Sequence, residues 1–385
     1  MKKILIVHNT YQITGGEDVA VKNEIEFLKS NYEVDVIYFE NNIKNYFFQF
    51  IYFLLNNNFH STKKIMEKVD NSNPDIIYFH NTWFQISPSV FKKLNNKNIK
   101  ILLKVHNYRW YCAQYFKHKN HLRNQTSCFA CGAYYEKRKY FNKYFEDSYL
   151  KSFLLFFNNK KYLKFIKKYD VTLIALNQFQ KNFLLSNGFS EKNIYIHFNF
   201  LKQVSIAQIK TEGKFIFYAG RLSKEKGINF LLEVFSTLKD IDYKLLIAGD
   251  GPLFKELIFK YKKNSNIEFL GPLTNDKVLS YMKNALAVIN PTHLIEGQPT
   301  VLSEASMMGK VSIFPENQSI EEFFPKNYKF TYLDKNEDSL KNLLNKMTDH
   351  NLLEEVGLEN KIFIENLLDN ENLLTNFKKI ELGQY

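Results

Sequence analysis

The sequence predicts an α/β protein made of two doubly wound domains. Short apolar runs alternate with longer amphipathic stretches, the alternation restarts once after a polar segment at 201–213, and most runs end in polar residues or glycine. Continuous runs of Ile, Val, Leu and aromatics suit strands buried on both faces of a parallel sheet. Two consecutive βα series then make two Rossmann-like units. The length of 385 residues agrees, since a single core rarely serves more than ~250 residues.

In the first series the strands are expected at 3–7, 34–39, 75–79, 100–105, 171–175 and 194–198. The stretch 17–30 reads as a helix, with Val21, Ile25 and Leu28 on one face. The second series places strands at 215–219, 244–248, 267–270, 287–289 and 311–314, with helices at 227–238 and 278–283 among them. Residues 352–380 are helical in character. The domains are therefore drawn at 1–203 and 204–360, with a tail at 361–385 that could pack back on the first domain. No short-period repeat points to a solenoid.

In open α/β sheets ligands collect beyond the carboxyl ends of the strands. Three strands of the first half end in the same dipeptide: His8-Asn9, His80-Asn81 and His106-Asn107. Asn177 and Asn199 follow two more. In the second half the corresponding residues are Gly220-Arg221, Gly249-Asp250-Gly251, Gly271 and Pro291.

Thr14-Gly15-Gly16-Glu17-Asp18 lies between the first strand and its helix. Glycines there let a ligand approach the backbone, and the helix start favours an anion; an ordinary helix cap reads the same residues equally well. The pattern is not the dinucleotide fingerprint GxGxxG, so no nicotinamide cofactor is indicated. Arg221 and Lys226 sit at a strand end and a helix entrance, where their charges suit a diphosphate. Glu296 and Glu304 flank Gly297-Gln298-Pro299-Thr300-Val301, and Pro299 marks a helix start. The carboxylates can accept from hydroxyls while the helix start faces a phosphate. Alone, they read equally well as two surface glutamates.

Net charge is +12, from 52 basic and 40 acidic residues. Such an excess favours acidic partners, although a codon bias toward Lys, Asn, Ile and Phe produces it too. No nucleic-acid module is recognisable. Three cysteines, Cys112, Cys128 and Cys131, make no disulfide framework and fit a reducing cytosol. With His118 and His121 between them they form either a structural zinc site or free thiols in a loop. Met1-Lys2-Lys3 runs straight into a strand, so no signal peptide is expected. The apolar stretch 46–55 is far short of the ~20 residues that span a bilayer. That stretch and the lysine-rich, acid-free 151–168 either lie on an anionic membrane surface or form core helices with a solvated face.

Taken in order, these segments resemble the GT-B retaining glycosyltransferases of family 4, the glycosyl transferases group 1. The resemblance rests on Gly15-Gly16-Glu17-Asp18, Val105-His106-Asn107-Tyr108-Arg109, Asn177-Gln178-Phe179, Ala219-Gly220-Arg221 through Lys226-Gly227, Ala248-Gly249-Asp250-Gly251-Pro252, and the E-x7-E element from Glu296 to Glu304. It implies a GT-B fold with an interdomain cleft, donor binding by the second domain and acceptor binding by the first. Arg221 and Lys226 would bind the donor diphosphate, Glu304 the ribose and Glu296 the transferred sugar. His106 would lie near the sugar's reactive end, and Gly16 near the phosphates. Gly15, Gly220, Gly249, Gly251, Gly297, Gln298, Pro299, Thr300 and Val301 would complete the donor site. The implied reaction retains the anomeric configuration, needs no metal or cofactor, and moves a sugar from a UDP- or GDP-sugar to a saccharide or polyprenyl-diphosphate-linked acceptor in surface polysaccharide synthesis. The expected location is the cytoplasm, peripheral to the inner face of the plasma membrane. A GT-B sugar-nucleotide epimerase or hydrolase and a non-catalytic membrane-surface scaffold are the alternative readings.

Overall fold

The expected strands assemble into two parallel sheets in a computed structural model that describes residues 1–11, 15–40, 45–83, 85–97, 99–108, 149–202 and 214–384. The first sheet holds β1 (Lys3–Thr10), β2 (Glu33–Glu40), β3 (Ile76–Phe79), β4 (Lys100–Lys104), β5 (Thr172–Ala175) and β6 (Ile194–Ile196), in the order β2-β1-β3-β4-β5-β6. The second holds β7 (Lys214–Ala219), β8 (Tyr243–Ala248), β9 (Ile267–Gly271), β10 (Ala287–Ile289), β11 (Val311–Pro315) and β12 (Thr331–Tyr332), in the order β12-β11-β10-β7-β8-β9. Their central strands are fully buried, as the unbroken apolar runs require. Several expected bounds shift by one to three residues, and the last boundary between units falls at 369/370 rather than 360/361. β1 runs on to Thr10, which puts His8 and Asn9 inside the strand, and the two-residue β12 follows no apolar run.

The chain divides into two compact units, one of Met1–Leu201 with Asn370–Tyr385 and one of Lys202–Asp369. In unit 1 the helices are α1 (Gly16–Lys29), α2 (Tyr46–Leu55), α3 (Phe59–Ser72), α4 (Ser89–Leu94), α5 (Tyr149–Lys168) and α6 (Gln178–Ser186). Unit 2 contains α7 (Ile228–Phe235), α8 (Phe254–Tyr261), α9 (Asn275–Asn284), α10 (Thr300–Met307), α11 (Gln318–Glu321), α12 (Glu337–Leu344) and α13 (His350–Leu367). The final helix, α14 (Asn370–Leu382), buries Leu373, Phe377 and Ile380 in the core of unit 1.

Asparagine does much of the local positioning. The side chains of Asn45, Asn58, Asn177, Asn317 and Asn336 each accept a backbone N–H at a helix start, which satisfies donors a helix cannot pair internally. Asn177, read from sequence as a strand-end residue of a ligand site, is thus the N-cap of α6. Asn56 and Asn73 close α2 and α3 in the left-handed region, which asparagine tolerates better than most residues.

Unit 1 also buries a charge pair. Lys104 Nζ on β4 lies 2.6 Å from Glu24 Oε2 on α1, and both side chains are fully buried. Tyr78 on β3 donates to Glu24 Oε1 at 2.9 Å, and the Phe198 carbonyl lies 3.4 Å from Lys104 Nζ. Burial pushes the Lys104 ammonium below its ordinary value, and Glu24 opposes that shift. Removing one partner of such a pair strands the other charge in a medium of low dielectric. Lys104→Met should therefore lower the stability of unit 1 by roughly 3 to 5 kcal/mol, while Glu24→Leu combined with Lys104→Met should recover most of it. Denaturant unfolding of the two variants checks this; a single substitution as stable as the parent would refute it.

Candidate functional site

Each sheet reverses its winding at one place, and a ligand crevice is expected there beyond the strand ends. In unit 2 the reversal lies between β7 and β10. The loop after β7 is clasped to the loop after β8: Gly220 N donates to Ala248 O at 3.0 Å, and Leu222 N to Asp250 O at 2.9 Å. A Cβ on Gly249, whose φ is +139°, would come within 1.9 Å of Gly220 O, and one on Gly251 within 2.4 Å of Leu222 O. The glycines at 249 and 251, expected to admit a donor, are already required by this approach of backbone to backbone.

The 3-10 turn Lys224–Lys226 ends at Gly227, whose φ is +71° and whose added Cβ would lie 1.9 Å from Pro291 O. This contact joins the loops after β7 and β10 and sets the central feature of the site. Lys226 Nζ lies 2.7 Å from Glu296 Oε1, and Thr292 Oγ1 donates to the same oxygen at 3.1 Å. His293 N donates to Glu225 O at 3.0 Å, while His293 Nδ1 pairs with Asp334 Oδ1, also at 3.0 Å. Arg221 is exposed beside them.

Gly297, Gln298 and Pro299 lead into α10, which begins at Thr300 and Val301 with Pro299 at its N-cap and no side-chain cap. Thr300 N donates to Gln298 O at 2.9 Å. Glu304 lies in its second turn, and burial pushes the carboxyl up to about 7.

In unit 1 the reversal lies between β1 and β3. Asn9 N donates to Asn81 O, and Asn81 Nδ2 returns a bond to Asn9 O, both at 2.8 Å. His8 Nε2 donates to Asp18 Oδ1 at 2.9 Å. Asp18 Oδ2 accepts from Gly15 N at 2.8 Å, so the Gly15 amide expected to face a phosphate is taken by the helix's own acid. Burial pushes the Asp18 carboxyl up, but bonds from His8, Gly15 and Tyr11 together hold it below its ordinary value. Gly16 differs, because a Cβ there would meet nothing within 4 Å and its φ is unremarkable. Neither turn nor packing requires a glycine at 16.

His106 Nε2 lies 3.0 Å from His80 Nδ1, and the rings stack. Burial holds both well below the ordinary histidine value, aided for His80 by His106 and for both by Lys104. The two imidazoles thus form a neutral pair in which one ring donates and the other accepts. Glu17 accepts from Tyr11 Oη at 2.7 Å and from Asn107 Nδ2 at 3.4 Å, tying the first turn of α1 to the loop after β4.

The structure therefore brings together Lys226 and Glu296 in unit 2, with Arg221 and α10 on neighbouring loops, and sets Gly16 and His106 at the carboxyl edge of the sheet in unit 1. Of the further participants, the sequence marks His80 through the repeated His-Asn dipeptide. Thr292 and Asp334 carry no such mark, since the first is an ordinary loop residue and the second follows the unannounced β12. Cys112, Cys128 and Cys131 lie outside the described residues. Among the described residues, no three His, Cys, Asp or Glu side chains group to hold a metal.

Two six-stranded parallel sheets with surrounding helices give the GT-B fold, that of nucleotide-sugar glycosyltransferases. Anabaena HepE in complex with UDP and glucose matches with a TM-score of 0.68 over 98% of this chain and 99% of that one, at 11% identity. Residues 200–362 match the family described as Glycosyl transferases group 1. The amylovoran biosynthesis glycosyltransferase AmsD of Erwinia amylovora is 32% identical over 141 residues, which cover 34% of this chain and 40% of that protein. An uncharacterized glycosyltransferase of Methanocaldococcus jannaschii is 27% identical over 251 residues, 61% of this chain and 64% of that one. The chain thus spans less than two thirds of either relative.

A carboxyl raised by burial favours folding only while it keeps its proton. The contribution of Glu304 is fully present below the ordinary glutamate range and is lost as the pH rises through about 7. Unit 2 should therefore lose about 3 kcal/mol of stability between pH 4.5 and 7 through this group. In Glu304→Gln that part of the slope should vanish, which pH-resolved unfolding of the two proteins measures.

Proposed function

We propose that the protein is a glycosyltransferase that takes a sugar from a nucleotide-sugar bound by unit 2. The acceptor would be a saccharide or lipid-linked saccharide held by unit 1, in surface polysaccharide synthesis at the cytoplasmic face of the membrane. The observation that carries this reading is the Lys226–Glu296 pair at the reversal point of the second sheet, with exposed Arg221 and the start of α10, which no side chain caps, nearby. The match of residues 200–362 to glycosyl transferases group 1 supports it. So does the kinship with an amylovoran biosynthesis enzyme, and the UDP bound to a protein of the same fold favours a uridine donor as the first to test.

In this mechanism the Lys226–Glu296 pair is the resting state. An arriving diphosphate takes over Lys226 and is met by Arg221, so Glu296 is released to accept from hydroxyls of the sugar. The bond between the anomeric carbon and the diphosphate oxygen breaks, and the electron pair leaves with the diphosphate. Fixed cations and the end of α10 stabilise that charge without reorganising. The acceptor oxygen forms the new bond and gives up its proton to the departing diphosphate oxygen, with retention of configuration. Glu304 accepts from the ribose hydroxyls, which favours its ionised form. The neutral His106 is the group in unit 1 assigned to the reaction.

Arg221→Ala and Lys226→Ala should each lower turnover on the order of a hundredfold, with melting temperatures close to the parent's. A screen of UDP- and GDP-sugars by thermal shift, followed by product analysis with and without acceptor, identifies the reaction. A true donor at a hundred times its Kd adds about 2.7 kcal/mol of stability. Normal turnover in either variant would overturn the diphosphate assignment, and sugar release or isomerisation that ignores acceptor would replace transfer by epimerase or hydrolase chemistry.

A further inference from the structure

Helices α2 and α5 lie side by side in unit 1. Lys161 Nζ donates to Leu54 O, and Asn158 Nδ2 to Asn56 Oδ1, each at 3.4 Å, so the two helices are fixed in register. Both turn large apolar side chains to solvent. Phe47, Phe48 and Leu54 on α2 and Leu150, Phe153 and Phe157 on α5 are exposed, Phe47 by 68% and Leu150 by 63%. The later turns of α5 bury Tyr162 and Ile166 beneath solvated lysines, as a core helix would, but these apolar residues on α2 and on the first turns of α5 stay exposed.

Positions 150, 153 and 157 recur at the spacing of one helix face. The same face continues as Lys161, Lys164 and Lys168, and α5 contains no acid. One stripe is thus apolar over the early turns and cationic over the later ones. Contiguous apolar surface of this kind normally has a partner. The lysines that continue it select a cover that is apolar within and anionic at its rim. Lysine stems can lie along apolar surface while the ammonium reaches a headgroup phosphate. Among the described residues no helix is long and apolar enough to cross a membrane.

We propose that this paired face of α2 and α5 docks on an anionic bilayer surface. The aromatic side chains enter the boundary between acyl chains and headgroups, and Lys161, Lys164 and Lys168 meet lipid phosphates. A small cavity lined by Tyr52, Phe53, Trp83, Asn158 and Tyr162 joins both helices to the loop after β3. That loop begins at His80 and Asn81, so docking sets the carboxyl edge of this sheet beside the lipid. Only the purpose of docking, delivery of a membrane-borne acceptor, rests on the function proposed above.

Co-sedimentation of the full chain with phosphatidylcholine vesicles, with and without phosphatidylglycerol, tests the docking. The parent should pellet with the anionic vesicles. Combined Phe47→Ser, Phe48→Ser and Phe153→Ser should lower the bound fraction at least tenfold, and Lys164→Glu with Lys168→Glu should remove the preference for anionic lipid. Each variant should keep the parent's melting temperature and its thermal shift with the donor, so a failure of the donor assignment shows up separately. A parent that stays in solution with both vesicle types, or variants that pellet as the parent does, would overturn the proposal. It would equally fall if the parent were a dimer that the aromatic substitutions split, because a second copy would then cover the face.

Discussion

The ion pair between Glu24 and Lys104 is the contact on which the arrangement of unit 1 depends. It links α1 to β4 across the sheet, and Tyr78 brings β3 to the same carboxylate. Two buried charges are tolerated only because each is the other's main partner. The consequence reaches beyond stability. The same ammonium lies close enough to His80, His106 and His197 to disfavour a second cation among them. Burial is the main cause that keeps the imidazoles at the sheet's edge neutral, and the charge that fastens a helix to a strand adds to it.

Unit 2 solves a different problem by different means. Its loops carry Arg221, Lys226 and Glu296, which would drift if left long and polar. Glycines at 227, 249 and 251 let three loop backbones touch, and each contact is closer than any side chain would permit. Loop position is therefore set by packing of main chain on main chain, and the flexible side chains inherit it. Glu304 is placed in turn by α10, whose start is fixed by Pro299.

Much of this was legible in the sequence. Strands buried on both faces read as apolar runs, and β1, β3, β5, β7 and β10 contain such runs, whereas β2, β8 and β9 carry a charged residue and β12, at two residues, leaves no run to see. Long-range pairing was not legible. Nothing near Lys104 announces a partner eighty positions earlier, and Asp334 looks like any turn aspartate until His293 is beside it. Gly249 and Gly251, which the resemblance assigns to a donor site, are required by the approach of the protein's own backbone. At 46–55 composition could not separate a buried helix from an exposed one, because apolarity says that a residue avoids water and not which surface receives it.

The last helix has a consequence for how the chain is made. Leu373, Phe377 and Ile380 complete the core of unit 1, and Lys100 Nζ donates to the carbonyl of Glu381. Unit 1 is therefore discontinuous, with the whole of Lys202–Asp369 inserted between its parts. At roughly 5 to 20 residues per second, on the order of ten seconds separates synthesis of the two parts. The usual order, first domain first, is reversed in its final step: unit 2 can close while its predecessor still waits on the ribosome with an unfilled groove along one face of its sheet. A nascent chain of this design holds apolar surface open for the length of a domain's translation.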